Sequence, residues 1–283
     1  MSTPLKRACL MGHPVAHSRS PMIHGFWLRT LGIAGAYELQ DILPEAYPAF
    51  LKDLRGRGYV GGNVTVPHKE VAFGGVDRRD PAAEAIGAVN TIWYEGDRMM
   101  GGNSDAHGFI TNLDALAPDW QVQSARATVL GAGGSARAAV YALQARGVEV
   151  ALVNRTLERA ETLARHFGAG VRAYAVEELR GLMPQSDVLI NCTSQGMDGK
   201  PPLEIDLCAL KRSAVVYDIV YVPLETGLLS AARARGHRTV DGLGMLLHQA
   251  GFGFQKWFGV VPQVSAALRA PIEADIRAKT ASK

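Results

Sequence analysis

The 283-residue sequence predicts an α/β fold of two lobes. One observation is the alternation of short apolar runs with helix-like stretches from Arg126 onward, a rhythm that builds a parallel sheet covered on both faces. Another is the turn Gly131-Ala132-Gly133-Gly134-Ser135-Ala136, of the form G-x-G-x-x-A, set between the run 127–130 and a helix-like stretch over 135–145. The last is a polar N-terminal segment that alternates strand and helix signals of its own and changes character after Asn103.

The first lobe reads in order as follows. Residues 7–11 form a strand ended by Gly12 and Pro14. Ser20-Pro21 starts a helix over 22–31, with Ser20 at the N-cap and proline in the first turn. A strand covers 36–39, a helix 45–55 and a strand 59–66 closed by Pro67. A short helix follows over 82–86, and the runs 91–95 and 98–100 pair as a hairpin around Gly96-Asp97. In the second lobe a helix over 107–116 is broken by Ala117-Pro118-Asp119. Strands and helices then alternate over 127–131, 135–146, 149–153, 156–167, 187–191, 214–219, 225–235 and 238–240. Residues 244–255 and 264–279 read as helices. The predicted domains are 1–105, completed by the tail 241–283, and 106–240.

Composition excludes several classes of protein. Apolar residues make up 47% of the chain, enough for a packed core. The net charge is +3 with no basic run, so nothing favours a nucleic-acid partner. No stretch approaches the roughly 18 apolar residues of a membrane helix. Residues 1–7 are polar with no long apolar run after them, which predicts no secretory leader. Cys9, Cys192 and Cys208 lack metal-ligand spacing and are flanked by apolar residues; they read as reduced, buried thiols of a cytoplasmic protein. His13 and His17 are separated by Pro14 with no third ligand near, so no metal site is expected.

The glycine turn predicts dinucleotide binding. Gly131 makes the tight turn, and Gly133 lets a pyrophosphate approach backbone N–H groups at a helix start. A NAD site carries Asp or Glu about 20 residues further on, to bond the ribose 2′-hydroxyl. That place holds Asn154 and Arg155 here. A carboxylate would repel a 2′-phosphate, whereas a guanidinium grips it with two hydrogen bonds. The expected cofactor is NADP, and the parallel-sheet lobe is Rossmann-like.

The first lobe gathers polar residues at strand ends: Ser18 and Ser20, Asn63 to Lys69, Asn90-Thr91 and Asn103-Ser104-Asp105. Each alone has a plain structural use as a cap, a turn or a solvated lysine. Together they make a hydroxyl-rich lining with one cation and one carboxylate, which suits a small polyhydroxylated acid. Lys69 and Asp105 are a plausible acid–base pair, the lysine donating to a ketone oxygen as hydride arrives.

With these residues in hand, the chain resembles the shikimate dehydrogenase family along nearly its whole length. The resemblance rests on Gly12-His13-Pro14-Val15-Ala16-His17-Ser18-Arg19-Ser20-Pro21, on Gly62-Asn63-Val64-Thr65-Val66-Pro67-His68-Lys69, on Gly87-Ala88-Val89-Asn90-Thr91 and on Gly102-Asn103-Ser104-Asp105. It continues through the glycine turn, Asn154-Arg155-Thr156, Asn191-Cys192-Thr193-Ser194-Gln195-Gly196-Met197, Tyr217-Asp218-Ile219-Val220-Tyr221 and the segment from Gly242 to Gln249. The resemblance implies an N-terminal substrate-binding domain and NADPH-dependent reduction of 3-dehydroshikimate to shikimate, in aromatic amino acid biosynthesis. It implies that Lys69 and Asp105 are catalytic. It also implies that Ser18, Ser20 and Tyr221 meet the substrate carboxylate, and that Thr65, Asn90 and Gln249 meet its hydroxyls. Gly131, Ala132, Gly133, Gly134, Ser135, Ala136, Asn154, Arg155, Thr156, Arg159, Thr193, Ile219, Gly242 and Met245 would hold NADP. The resemblance leaves room for a homodimer.

Two positions depart from the family pattern. Ser104 stands for a threonine and keeps the hydroxyl; Val222 stands for an asparagine and loses an amide. Two other readings compete. One is a quinate/shikimate dehydrogenase of relaxed specificity, which in this family often uses NAD with an acidic residue near positions 154 and 155. The other is a regulatory paralogue that binds NADP without chemistry, against which both Lys69 and Asp105 speak.

Overall fold

The computed structural model describes residues 5–121 and 125–281. Residues 1–4, part of the stretch read for a leader, lie outside the described residues. The chain divides into two compact units. One comprises Met1–Ser104 with Leu247–Ile272, the other Asp105–Leu246 with Glu273–Lys283.

The first unit carries β1 (Lys6–Gly12), α1 (Ser20–Thr30), β2 (Gly35–Asp41), α2 (Tyr47–Lys52), β3 (Tyr59–Val64), α3 (Lys69–Gly75), β4 (Arg78–Arg79), α4 (Pro81–Ile86), β5 (Thr91–Glu95) and β6 (Arg98–Gly102). These strands form one mixed sheet in the order β2-β1-β3-β5-β6-β4. β1 runs parallel to β2 and β3, while β5 runs antiparallel to β3 and β6. This register sets the end of β3, the start of β5 and the end of β6 side by side, with Asn63 opposite Thr91 and Thr91 opposite Gly102. Cys9, Met11, Tyr47, Leu54 and Ile92 are buried in the core on one face. An aromatic cluster of Trp27, Phe254 and Trp257 packs around His24.

Several expectations need correcting here. Ser20 is not the N-cap of α1. Arg19 holds that position and Ser20 is the first helical residue, its N–H donating to the Ser18 hydroxyl at 3.2 Å. The strand expected to reach Val66 ends at Val64, before Pro67, which has no N–H for a ladder. Lys69 does not follow a bare turn: it opens α3, a helix the sequence hid behind two glycines and the β-branched Val71.

The second unit contains β7 (Arg126–Leu130), α6 (Gly134–Gln144), β8 (Glu149–Val153), α7 (Leu157–Phe167), β9 (Val171–Tyr174), α8 (Leu179–Leu182), β10 (Val188–Asn191), β11 (Val215–Asp218), α9 (Gly227–Ala234) and β12 (Arg238–Val240). Its sheet is wholly parallel, in the order β12-β11-β10-β7-β8-β9. Numbered within the unit this is the doubly wound order 3-2-1-4-5-6 of a dinucleotide fold. Every residue of β10 and β11 is buried, as strands covered on both faces require. The strand order reverses between β7 and β10, and ligands of such sheets bind outside the carboxyl ends of the strands at that point. β9 and α8 are not among the elements that the sequence predicts. α5 (Ser104–Leu116), α10 (Gly242–Phe258) and α11 (Ala266–Ala281) each contribute residues to both units. No helix among the described residues is long and apolar enough to cross a membrane. Cys9 and Cys192 are buried, but Cys208 is exposed, its sulfur accepting a hydrogen bond from Arg235 on a short 3₁₀ turn.

Candidate active site

In the first unit the polar residues converge because of the strand register. Asn90 is 5% exposed. Its Oδ1 accepts from the Thr91 hydroxyl (2.9 Å), the Ser104 N–H (2.8 Å) and the Ser104 hydroxyl (3.1 Å). Ser104 thus keeps a hydroxyl bonded to Asn90 at a position where the family pattern has a threonine. The backbone around Asn90 is fixed as firmly: its carbonyl accepts from Val64 N–H, and its own N–H donates to Gly102. The neighbouring Val89 N–H donates to the Lys69 carbonyl at 3.1 Å, which ties the start of α3 to this cluster. Lys69 and Thr65 are half-buried. His68, just before the lysine, is buried, stacks on Tyr47 at 4.1 Å and bonds the Ile42 carbonyl at 2.8 Å. That packing holds the start of α3 in place. At the head of α1, the Ser18 hydroxyl donates to Ser20 Oγ at 3.2 Å. Gln249 is half-buried on α10, in this same unit.

Tyr37, which has no role in the sequence analysis, and Asn63, which appears there only as part of the polar lining, link these groups. Tyr37 on β2 donates its hydroxyl proton to Asn63 Oδ1 at 2.8 Å. The Asn63 amide donates to the Asn90 carbonyl and the Thr91 hydroxyl, both at 3.2 Å. The only sequence trace of this is period-two placement on two different strands.

In the second unit the glycine turn has the geometry a nucleotide needs. Gly131 has φ of +106°, and a Cβ there would lie 3.1 Å from Thr193 Cγ2 and 3.2 Å from the Cys192 carbonyl. Its N–H donates to Val153 at the end of β8. A Cβ added at Gly133 or Gly134 would meet nothing within 4 Å beyond its chain neighbours and its own helix, so there is open space beside the turn. No side chain caps α6, which leaves its first N–H groups directed at that space. Ala136 is fully buried, the small residue that lets helix and sheet pack closely. Asn154 bonds the Thr156 carbonyl at 2.8 Å and so shapes the turn into α7. Arg155, Thr156 and Arg159 are exposed there. Neither arginine forms an ion pair among the described residues. Beside the turn a cavity is lined by Ala132, Arg137, Glu158, Arg159, Thr162 and Leu163. Arg137 adds a cation that the sequence reading passed over. The open cradle, the uncapped helix start and the exposed guanidinium groups fit a phosphorylated dinucleotide.

The far side of this site is set by a buried network. Asn191 Oδ1 accepts from the Thr193 N–H (3.0 Å) and hydroxyl (2.7 Å), and its amide donates to Asp218 Oδ1 (2.9 Å). Asp218 also accepts from Val220 N–H (3.0 Å) and the Thr226 hydroxyl (2.6 Å). Burial pushes the Asp218 carboxyl above the usual range, and those three donors oppose the shift. A Cβ on Gly242 would collide with the Ile219 carbonyl, so only glycine lets α10 start against that loop. Asp241 caps this start, accepting from Leu243 N–H at 3.0 Å and Gly244 N–H at 3.3 Å. Met245 is buried, and Tyr221 is half-buried after β11. Among the described residues no cluster of three or more His, Cys, Asp or Glu is placed to hold a metal ion.

Comparison with known proteins bears directly on these two halves. Residues 10–92 match the family model of the shikimate dehydrogenase substrate binding domain, and residues 115–198 that of shikimate / quinate 5-dehydrogenase. The chain is 54% identical over 276 residues to the NADP(+) shikimate dehydrogenase of Azorhizobium caulinodans, covering 97% of this chain and 98% of that protein. The chain belongs to the shikimate dehydrogenase family.

Among solved members of the shikimate dehydrogenase family, shikimate 5-dehydrogenase from Thermus thermophilus, in complex with NADP(H) and shikimate, superposes with a TM-score of 0.82 at 37% identity. The match covers 96% of this chain and 99% of that one. Quinate dehydrogenase from Corynebacterium glutamicum, in complex with NAD, superposes with a TM-score of 0.87 at 28% identity, covering 95% and 99%. The two-part α/β architecture with a Rossmann-like parallel sheet is thus that of the shikimate dehydrogenase family. The second departure from its sequence pattern, Val222, leaves the backbone engaged: its carbonyl accepts from Asp198 N–H at 2.8 Å.

Proposed function

We propose that this chain catalyses the reversible NADPH-dependent reduction of 3-dehydroshikimate to shikimate, a step towards aromatic amino acids. The observation that carries the reading is the end of β8. Arg155 and Arg159 stand exposed beside an open, uncapped glycine turn where a NAD-binding site would carry a carboxylate. Bound NADP supplies or accepts the hydride. The residues of this chain bind, orient and protonate. Ser18, Ser20 and Tyr221 hold the substrate carboxylate through hydroxyls, which avoids burying another cation. Thr65, Asn90 and Gln249 bond the ring hydroxyls. Lys69 donates a proton to the 3-keto oxygen in reduction and takes it back in oxidation, while Asp105 orients the lysine and a substrate hydroxyl. On this reading residues 1–105 with the tail 241–283 serve the substrate and 106–240 serve NADP. Reduced cysteines and a need for NADPH fit the cytoplasm, and a homodimer is the assembly to look for by sedimentation.

The decisive experiment mixes the purified chain with NADP and shikimate and follows NADPH absorbance. Rapid NADPH formation supports the reading; no turnover, or turnover confined to NAD, overturns it. The structural likeness to a quinate dehydrogenase makes quinate the second substrate to assay. Quinate turnover comparable to that of shikimate would favour the relaxed-specificity reading.

A further inference from the structure

Asn112 lies on α5 and is 1% exposed. Its amide nitrogen donates twice, to the Tyr217 hydroxyl at 3.0 Å and to the Asp241 carbonyl at 2.7 Å. The first acceptor stands on β11, and the second belongs to the residue just before α10. Asparagine is the shortest side chain with two N–H donors. One amide therefore ties three elements together, all of its contacts lying within the second unit.

Both partners are themselves fixed. Tyr217 is fully buried, its ring stacked on Phe109 with centroids 4.9 Å apart and planes 5° from parallel. Its hydroxyl donates to the Phe109 carbonyl at 3.5 Å and so presents a lone pair to Asn112. Phe109 and Asn112, three residues apart, share one face of α5. Asp241 caps α10 with its carboxylate, while its carbonyl is the atom that Asn112 holds. The first turn of α10 is also tight on two sides. Gly242 lies against the Ile219 carbonyl, and Gly244 lies against Asn112, where a Cβ would collide with Oδ1. The amide can swing aside only by giving up its two hydrogen bonds.

We infer that Asn112 is a positioning residue for NADP, on the reading above that Gly242 and Met245 face the cofactor. It fixes the first turn of α10 against β11, and with that turn the backbone of Gly242 and the side chain of Met245. A dinucleotide then meets a surface already in place, and less ordering is left for binding to accomplish. Gln249 lies further along α10, in the part that belongs to the first unit. The predicted signature is weaker cofactor binding with little change towards shikimate.

The test titrates wild type and variants with NADPH in the absence of substrate, following the fluorescence of the cofactor, and records the melting temperature and shikimate KM of each. Ordering one freed group on binding converts to roughly a 2- to 12-fold loss of affinity. Asn112→Ala should bind NADPH more weakly by about that factor, with the shikimate KM within about twofold of wild type. Gly244→Ala drives a methyl group into the same contact from α10 and should weaken NADPH binding in the same range. It carries the test by itself if Asn112→Ala does not fold. In the double variant the methyl enters the space that the amide has left, so NADPH affinity should fall no further than in Asn112→Ala. Unaltered NADPH affinity in the single variants, whatever their melting temperatures, would make Asn112 a structural residue alone and overturn the inference. Effects that multiply in the double variant, or an equal loss towards shikimate, would overturn it too. Wild type that does not bind NADPH would instead overturn the proposed function, so the two failures are distinguishable.

Discussion

Asn191 and Asp218 meet at 2.9 Å across the ends of two central parallel strands, both fully buried. Their contact braces the loops that carry Thr193 and Ile219, two residues proposed to face NADP. Removing the carboxylate would leave three buried donors without an acceptor: the Asn191 amide, Val220 N–H and the Thr226 hydroxyl. Each unsatisfied group costs about 1–3 kcal/mol. Asp218→Ala should therefore lose about 3 kcal/mol or more and melt roughly 6–12 °C below wild type. It should also raise the KM for NADP more than that for shikimate. An unchanged melting temperature would show that the network does not hold these loops.

Arg155 is proposed to set the cofactor preference. A charge-assisted contact to a 2′-phosphate contributes about 1.5–3 kcal/mol. Arg155→Ala should raise the KM for NADP roughly 10- to 100-fold and leave the weak use of NAD almost unaltered. Kinetics with both cofactors check this. Equal effects on the two would mean that the guanidinium does not read the phosphate.

His24 makes the fold sensitive to acid. Burial lowers its pKa from the ordinary 6.5 to about 3, with the Asn63 side chain opposing part of the shift. The folded chain keeps the ring neutral, while the unfolded chain takes up a proton below pH 6.5. This contribution to stability is whole above that pH and is lost as pH falls towards 3. At pH 5 the loss is about 2 kcal/mol, or roughly 4–8 °C in melting temperature. His24→Phe keeps a ring in the stack and cannot be protonated, so its melting temperature should fall less between pH 7 and pH 5. A fall as large as that of wild type would place the acid sensitivity elsewhere.

Local constraints were legible in the sequence. Gly131, Gly133 and Ala136 announce their turn because a positive φ, an open approach and a close helix contact each exclude larger side chains. The proposed role of Arg155 is argued from its charge alone, and the parallel sheet follows from apolar runs such as 188–190 and 215–217. Contacts between distant strands were not legible. Tyr37 and Asn63 lie on β2 and β3, with β1 between them, and Asn191 reaches Asp218 only after a long crossover. Short or glycine-bearing elements were also hidden: α3 contains Gly74 and Gly75, and β9 has only four residues after Gly170. Cys208 shows that apolar neighbours in sequence do not secure burial when they face inward from a single 3₁₀ turn. Leu207 beside it is 2% exposed.

Lys69 is proposed to move the proton. Its test is the kcat of Lys69→Met, which keeps the stem and removes only the ammonium. General acid–base catalysis contributes on the order of 10²–10⁴-fold. In this variant kcat should fall by at least about a hundredfold, with the shikimate KM changed far less and the melting temperature close to that of wild type. A kcat within about threefold of wild type would contradict it.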